Sequence, residues 1–498
     1  MHWLIGILLI ALLPLATRAA GSDSNPPNIL LITASGLGWS DLGCYGSEIQ
    51  TPNLDSLASN GVRLSSFYHG GSPKASQSSL LSGRFLPVPN AVPQDNLARE
   101  LKSAGYDCFF SGKWPIGKGR NLHPGSHGFD KHFALMANEA SSFSPSKGAL
   151  LPGQANAHGF NLVLSDGIQI SLFPDRFYLT DTISSYAGAM IRKRSEDKAD
   201  SPFFMWLAYT APHHPLHAKP EDIRKYEGRY LGGWSALRSE RFKNLQDRNL
   251  ISRSQRLPVS RESQVRWGKS SHKELEAGRM AVRSAMLDSM DQGIGHVIAA
   301  LKETGQFNNT LILILGDSGP SPVVLKDNEG DHPPGSRDSY QSVGPDWALA
   351  ASTPFPDPEI PLSEATLASP FIAHWPNKVR RGGISSQLSH IADLHPTLLE
   401  IAGKSPSKVV DSISILSVLT SLKTKDRPPL IWNSEDAHAI RTEDWKAIQS
   451  GKGGTWTLND MNRDRFGAVD VSHSKAQELK KLTSQWLEWS VVNGLPTQ

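Results

Sequence analysis

A serine-rich segment at residues 71–84 is the stretch best equipped for nucleophilic chemistry. It reads Gly-Ser-Pro-Lys-Ala-Ser-Gln-Ser-Ser-Leu-Leu-Ser-Gly-Arg, with Ser72 near its start. A serine hydroxyl attacks an ester when a base within hydrogen-bond reach takes its proton. Lys113 and His213 could serve as that base or bind an anion. If these side chains meet in the fold, the combination would suit an ester hydrolase.

Buried strands must position these side chains. Residues 28–33, Asn-Ile-Leu-Leu-Ile-Thr, form a continuous apolar run typical of a strand covered on both faces. The loop at 34–38 follows this strand's carboxyl end, where open α/β sheets place ligands. Similar strands are predicted at 106–111, 202–209, 310–316 and 370–375. Helical patterns between them, the strongest at 278–304, predict a mostly parallel sheet flanked by helices.

The chain divides into one large and one small unit. The α/β pattern extends over residues 26–405, with a polar, weakly periodic stretch at 231–272 that predicts a surface insertion. Its basic cluster between Arg238 and Arg266 is interpreted as a solvated face. Residues 411–498 contain short strand patterns and a closing amphipathic helix at 475–491, which predict an α+β subdomain.

Charge and cysteine content exclude several classes of protein. The 498 residues include 51 basic and 48 acidic side chains, a formal charge of +3 that provides no footprint for nucleic acid. Cys44 and Cys108 are too few for a disulfide framework, although one bridge would be allowed in an oxidising compartment. We interpret both as small buried side chains.

The N-terminus has the pattern of an export signal. An apolar run at 4–15 is followed by small residues up to Gly21, so residues 1–20 are predicted to be a signal peptide. The run is too short to span a bilayer, and no membrane span is expected in the mature protein. The prediction is a secreted or periplasmic protein, with an uncleaved anchor as the alternative.

Several motifs follow one another in an order that resembles the sulfatase family. They are Thr51–Arg63, Leu80-Leu81-Ser82-Gly83-Arg84, Gly112-Lys113-Trp114-Pro115-Ile116-Gly117, Ala211-Pro212-His213-His214-Pro215, Ser389–Leu399 and Ala439–Lys446, the last similar to A-x-R-T-x-D-W-K. The resemblance covers about residues 26 to 490. It implies the alkaline-phosphatase-like α/β fold with a C-terminal subdomain, and hydrolysis of sulfuric esters as the family activity.

The head of the 71–84 segment departs from the family pattern. In sulfatases a Cys or Ser that becomes formylglycine precedes x-[Pro/Ala]-Ser-Arg, and this alignment places Pro73 on the nucleophile and Gln77 on the arginine. Proline cannot become an aldehyde, so no formylglycine is expected. Taking Ser72 as the nucleophile instead would put Lys74 where Pro or Ala belongs.

The metal positions implied by the resemblance are also substituted. The family binds calcium through Asp-Asp after the first strand and Asp-Asn or Asp-His after a later one. This chain has Ser35-Gly36 and Asp317-Ser318 at those places. Because calcium affinity grows with the number of charged ligands, binding is expected to be absent or weak. Asp317 is left as a candidate metal ligand, or as a cap for the turn at Ser318-Gly319.

The sulfate-binding positions are partly retained. The resemblance assigns Lys113 to the family's catalytic lysine and His213 to its histidine, whereas Pro115 replaces a histidine and Glu359 replaces a second lysine. A carboxylate at that last position would repel sulfate. Alternatively, Lys113 is a surface lysine and His213 a histidine with satisfied hydrogen bonds.

A rebuilt transition-metal site is a further alternative. Imidazole and carboxylate groups could supply its ligands. The candidates are His214, His217, Asp331 and His332. Their spacing does not favour such a site, and we interpret them as solvated loop residues.

Three functions are consistent with these observations. The first is a catalytically deficient sulfatase homologue that binds a sulfated glycan, a sulfate ester or a partner. The second is an active sulfatase or related ester hydrolase with a rebuilt site that uses Ser72, or another serine of the 72–79 cluster, with Lys113 and His213. The third is an interaction subunit that pairs with an active paralogue.

Overall fold

The structure is a computed structural model that describes residues 26–85, 94–117, 122–136, 140–144, 162–258, 266–325, 332–451 and 453–495. The predicted signal peptide, residues 1–20, and Asp331 lie outside the described residues. No helix in these ranges is both long enough and apolar enough to cross a bilayer.

The strands are β1 Asn28–Ser35, β2 Val62–Leu64, β3 Phe67–Tyr68, β4 Asp107–Lys113, β5 Lys131–Met136, β6 Leu162–Ser165, β7 Ile168–Ile170, β8 Phe203–Pro212, β9 Thr310–Gly316, β10 Ala368–Ser369, β11 Phe371–His374, β12 Gly383–Ser385, β13 Ser389–His390, β14 Leu430–Asn433, β15 Ala437–Arg441, β16 Trp445–Ser450 and β17 Trp456–Asp460. The α-helices are α1 Pro52–Ser59, α2 Pro73–Ser82, α3 Leu97–Ser103, α4 Leu179–Glu196, α5 Pro220–Ile223, α6 Trp234–Asp247, α7 Lys273–Glu303, α8 Gly344–Ala351, α9 Glu364–Leu367, α10 Leu394–Ile401, α11 Leu416–Ser421 and α12 Ala476–Val492.

A ten-stranded sheet forms the centre of the large unit. Its order is β12-β2-β11-β9-β1-β8-β4-β5-β6-β7, and the run from β9 to β5 is parallel throughout. Each residue of β1 is buried, as expected for an apolar strand with helices on both faces. The predicted sheet is therefore confirmed, with antiparallel pairs added towards its two edges. The carboxyl ends of β1, β4, β8 and β9 all open onto one edge.

A glycine allows β4 and β8 to approach each other closely at this edge of the sheet. Gly112, next to the end of β4, has φ 133°, and a Cβ atom there would lie 2.0 Å from the Ala208 carbonyl oxygen of β8. A side chain at this position would push the strands apart. The glycine thus fixes the place of Lys113, the last residue of β4.

The segment at 231–272 is not simply a surface insertion. It begins with α6, whose Arg238 and Arg241 are buried. Arg241 forms ion pairs with Asp41 and Glu48, at 2.9 and 2.8 Å. The prediction of a solvated basic face is wrong for these two arginines, because Arg241 pairs with buried carboxylates and Arg238 donates to buried backbone carbonyl oxygens.

The two cysteines agree with their interpretation from the sequence. Cys44 and Cys108 are both buried and carry free thiols.

The C-terminal unit is a four-stranded antiparallel sheet, β14-β15-β16-β17, against which α12 packs. Strands β15 and β16 form a hairpin, in which Arg441 pairs with Lys446 across the turn. The sequence did not predict β17. This sheet is separate from the large one, as expected for an α+β subdomain.

A buried ion pair joins the small sheet to the large unit. Glu364 accepts hydrogen bonds from Lys446 Nζ at 2.9 Å and from the Tyr68 hydroxyl at 2.6 Å. Burial alone would raise the pKa of Glu364, but the charges of Lys446 and Arg441 outweigh burial and lower it to about 2. Arg441 and Lys446, the arginine and lysine of the A-x-R-T-x-D-W-K-like motif, therefore both act on the Glu364 carboxylate at the seam, the contact between the two units.

Substituting Glu364→Gln should destabilise the protein by about 3 kcal/mol, because removal of one partner leaves the other charge buried without compensation. The measurement is the free energy of unfolding in urea at neutral pH. Asp247→Asn is the matched control. Its ion pair with Lys243 is exposed to solvent, so its loss should change the free energy of unfolding little. Equal losses in the two variants would contradict this role for the seam.

Candidate functional site

Asp317 is the centre of a polar cluster at the carboxyl edge of the sheet. Its Oδ1 atom accepts hydrogen bonds from Ser35 Oγ at 2.9 Å and Ser318 Oγ at 3.3 Å. Its Oδ2 atom accepts one from Gln77 Nε2 at 3.4 Å, and the same nitrogen lies 3.1 Å from the Lys113 carbonyl oxygen. The structure therefore brings together residues that are far apart in the sequence.

The main chain closes this cluster on one side. Gly36 donates its N–H to Ser318 Oγ at 2.9 Å and has φ 76°, a left-handed conformation. A Cβ atom at Gly36 would lie 3.1 Å from His213 Cα. Any side chain here would be strained and would press on the His213 backbone.

Burial and one cation set the electrostatics of Asp317. Burial raises the pKa of Asp317, and the Lys113 charge together with the hydrogen bonds only partly opposes this. Lys113 is 2 % exposed, so its alternative interpretation as a surface lysine is wrong. The Lys113 ammonium offsets the Asp317 carboxylate, which leaves little excess positive charge for an incoming anion.

Ser72 lies at the rim. It is the exposed N-cap of α2, and its Oγ accepts a hydrogen bond from Ala75 N at 3.2 Å. Pro73 is the first residue of the helix, a place that suits proline. Ser76, one turn further, donates its hydroxyl to the Asp317 carbonyl oxygen. The buried end of α2 is thus tied to the cluster through Ser76, which sequence reasoning did not identify.

His213 borders a very small cavity. Its side chain is half-buried, with Nδ1 2.9 Å from the His214 carbonyl oxygen. Gly36, Arg283 and Ser342 are among the other residues that line the cavity, whose volume of about 10 Å³ has room for about one water molecule. A sulfate group is much larger than that.

Arg283 is a second residue that sequence reasoning missed. It donates to the Gly36 carbonyl oxygen at 2.8 Å and to Asp41 Oδ2 at 2.6 Å. Arg241 also pairs with Asp41, so one buried carboxylate serves two arginines. The sequence held one indication of this role. Arg283 lies within the apolar helix predicted at 278–304, and a cation buried there requires a partner.

The histidines considered for a transition-metal site do not form one. His217 is buried, with Nδ1 accepting from Ser142 N at 3.2 Å and Nε2 lying 2.7 Å from the Ser339 carbonyl oxygen, so both ring nitrogens are engaged. His332 is exposed. The interpretation of His217 as a solvated loop residue is wrong. Within the described ranges no three His, Cys, Asp or Glu side chains are placed to share a metal ion.

Two substituted positions lie outside the polar cluster. Pro115, half-buried, comes two residues after the end of β4, and Glu359 is exposed in the loop before α9. Of the candidate site residues, Lys113 and Asp317 belong to the same cluster, where the Lys113 charge acts on Asp317, and His213 packs against the neighbouring Gly36. Ser72 stays at the exposed N-cap.

Comparison with known proteins identifies the architecture around this cluster. A family model described as Sulfatase matches residues 27–404, more than half of the chain. The chain belongs to the sulfatase family. The resemblance noted in the sequence is therefore confirmed.

Relatives within the sulfatase family match most of the chain at modest identity. An uncharacterised sulfatase of Schizosaccharomyces pombe is 28% identical over 96% of this chain and 95% of its own length. The arylsulfatase of Klebsiella aerogenes is 29% identical over 81% of this chain and 93% of its own. The N-acetylgalactosamine-6-sulfatase of Canis lupus familiaris is 27% identical over 89% of this chain and 75% of its own length.

Solved structures share the fold at lower identity. The protein Ps i-CgsB has a TM-score of 0.68 and 24% identity, and the match covers 94% of this chain and 93% of that protein. The phosphonate monoester hydrolase of Agrobacterium radiobacter has a TM-score of 0.58 and 19% identity over 92% and 96% of the two chains. These likenesses confirm the alkaline-phosphatase-like fold.

The residues present do not fit the calcium ion that the sulfatase family uses. Among the described residues, Asp317 is the one carboxylate of the cluster, and its oxygens already accept three hydrogen bonds. Calcium takes six to eight oxygen ligands with several charges among them. The place of the second family carboxylate is Gly36, packed against His213. No step of chemistry can therefore be assigned to calcium here.

Calcium should leave the unfolding temperature of the wild-type protein unchanged, whereas Ser35→Asp should acquire calcium-dependent stabilisation. The new carboxylate would lie beside Asp317, because Ser35 Oγ is 2.9 Å from Asp317 Oδ1. Calcium at roughly 100 times its Kd would add about 2.7 kcal/mol to the variant. Thermal unfolding of the wild type and of Ser35→Asp, each with calcium and with a chelator, tests these two expectations. Saturable calcium stabilisation of the wild type would show that the cluster is a metal site.

Burial lowers the pKa of His217 to about 4, and its hydrogen bond to Ser339 only partly opposes the shift. The unfolded chain therefore binds a proton first as the pH falls, and stability is lost between pH 6.5 and about 4. The stability advantage of the wild type over His217→Gln should shrink by about 2 kcal/mol from pH 7 to pH 5. Urea unfolding at both pH values measures this, and His332→Gln, at an exposed histidine, should show no such change.

Proposed function

We propose that this sulfatase-family protein does not hydrolyse sulfate esters through formylglycine and calcium, and that it uses the fold to bind a sulfated carbohydrate. The observation that carries the proposal is Pro73, which occupies the family's nucleophile position as the first residue of α2. Its side chain is a closed ring without a thiol or hydroxyl. No modification of proline supplies the aldehyde that the family mechanism requires.

The polar cluster supports the same conclusion independently. Hydrolysis needs excess positive charge to stabilise the transferred sulfate group. Here the Lys113 charge is opposed by Asp317, and Gln77 takes the place of the family's arginine. The Gln77 amide and the serine hydroxyls that surround Asp317 are uncharged. The cavity beside His213, about 10 Å³ in volume, has room for about one water molecule.

Binding at the mouth of the site is supported by its exposed groups. Lys74, in the first turn of α2, is exposed, and the N-terminus of this ten-residue helix favours anions. His213 is half-buried at the same edge. Among the solved structures, Ps i-CgsB is described in complex with k-i-k-neocarrahexaose, and another protein with its substrate D-glucosamine-2-N,6-O-disulfate. We transfer the ligand class, a sulfated carbohydrate, and not the reaction.

An ester hydrolase that uses Ser72 is the second candidate. Its favourable observation is exposure, since Ser72 Oγ is accessible at the N-terminus of α2. The hydrogen bond described for this oxygen comes from Ala75 N, which caps the helix and provides no base. We therefore rank it below the binding protein.

A panel of aryl and carbohydrate sulfate esters and phosphate esters, assayed with calcium, separates the two candidates. We expect the wild type and Ser72→Ala to be equally inactive, because neither provides an activated nucleophile. Both proteins should show the same thermal unfolding. Turnover by the wild type that disappears in Ser72→Ala would establish the hydrolase instead.

Binding is tested on immobilised dextran sulfate. Replacing Lys74 and His213 together by Ala should weaken binding about tenfold, as expected for the loss of two charged or polar contacts to sulfate. Lys243→Ala, at an exposed lysine on α6, is the matched control and should bind like the wild type. Wild-type protein that does not bind, or a control that weakens equally, would contradict a specific sulfate site at this edge.

A further inference from the structure

The Glu364 carboxylate at the seam is surrounded by more positive charge than it can balance. It acts on Lys446, on Arg441 and on Arg465, which lies in the segment after β17. Lys446 and Arg441 are 0 % and 4 % exposed, and Arg465 is half-buried. Among the described residues, Glu364 is the one carboxylate that acts on all three cations. We call these four residues the seam cluster, in which three positive charges face one negative charge.

Several N–H groups of the two arginines are buried without an acceptor. Within the described ranges, this holds for Nε and Nη1 of Arg441 and for Nε of Arg465. The Nη2 atom of Arg465 does have partners, since it donates to the Ser65 carbonyl oxygen and, at 3.1 Å, to Ser66 Oγ. A buried donor that lacks an acceptor is destabilising, and more so when it belongs to a charged group. These atoms therefore call for an acceptor from outside the chain.

The two guanidinium groups lie around one tyrosine. The Arg441 Cζ atom is 5.3 Å from the centre of the Tyr68 ring, and the charges of Arg441 and Arg465 both act on the Tyr68 hydroxyl. Burial lowers the pKa of Arg465, and the positive charge of Arg441 adds to this shift. The two arginines are thus close enough to repel each other. A negative charge between them would turn this repulsion into attraction.

Glu364 does not supply that charge by direct contact. Its Oε1 atom accepts from Lys446 Nζ at 2.9 Å, and its Oε2 atom accepts from the Tyr68 hydroxyl at 2.6 Å. The carboxylate is therefore used by the lysine and the tyrosine, and the arginines are left without an anionic partner. Water could accept their hydrogen bonds, but it would not offset the excess charge. A buried charge needs a counter-charge, so an anion is favoured over water.

A cavity of about 150 Å³ borders the seam cluster and selects among anions. Glu364 and Lys446 line it, and so do Asp357 and Asp470, whose carboxylates are exposed. An anion that enters by this route passes these two carboxylates. They repel a doubly charged sulfate or phosphate about twice as strongly as a singly charged ion, because Coulomb energy is proportional to charge. A small, singly charged ion such as chloride is therefore favoured.

We propose that the seam cluster binds one small, singly charged inorganic anion, namely chloride, between Arg441 and Arg465. The Nε and Nη1 atoms of Arg441 and the Nε atom of Arg465 donate to the ion. The ion offsets one of the two excess positive charges and so stabilises the contact between the two units. This site is separate from the polar cluster around Asp317 and does not depend on the proposed function.

The test is thermal unfolding of the full chain in sodium chloride and in sodium gluconate at equal ionic strength. We expect chloride to raise the unfolding temperature in a saturable way, which gives its affinity. Arg441→Gln and Arg465→Gln should each weaken chloride binding about tenfold through loss of a charge-assisted hydrogen bond. Glu364→Gln should instead strengthen it, because the excess positive charge rises. Loss of packing alone would not give these opposite signs.

Arg463→Gln is the matched control, since this arginine side chain is 85 % exposed, and it should bind chloride like the wild type. Anomalous scattering from bromide in wild-type crystals locates the ion even if a variant fails to fold, and a peak is expected between Arg441 and Arg465. Equal unfolding in chloride and gluconate, unchanged affinity in both arginine variants, or bromide found only elsewhere would each overturn the proposal. Dextran sulfate takes no part in this test, so its failure is distinguishable from failure of the proposed function.

Discussion

Charge that is buried at the carboxyl edge of the central sheet must be compensated from within the protein, and this requirement shapes the site. Asp317 faces Lys113 and is surrounded by hydroxyl and amide donors, while Asp41 serves Arg241 and Arg283. In an ion-binding relative, a metal would be the dominant local charge. Here side chains compensate the buried charges of Asp317 and Asp41.

The same requirement explains which sequence predictions succeeded. Apolar runs such as Asn28–Ser35 and Thr310–Gly316 are strands in the structure because both faces of the central sheet are covered. Motif position made Lys113 and Asp317 candidates, and the parallel sheet places both at its carboxyl edge. Buried polar residues were harder to predict. Arg238, Arg241 and His217 lie in segments with the composition of solvated loops, yet their side chains are buried. Their partners lie far away in the sequence, and a polar residue with a distant partner leaves no local pattern.

Buried charge is also compensated by protein groups at a second location, the C-terminal sheet. Arg441 and Lys446 belong to a short motif whose sequence gives no role, and the structure directs both towards Glu364. Because this carboxylate belongs to α9, the motif joins the two units.

Gly36 limits which side chains the carboxyl edge of the sheet can carry. The His213 main chain already occupies the space beside it, and the left-handed backbone excludes most side chains. A single substitution could restore a carboxylate at Ser35 or a thiol at Pro73, but at Gly36 a carboxylate also requires the neighbouring backbone to move. A calcium site of the family type at this edge would therefore need coordinated changes in two loops, one at Gly36 and one at His213.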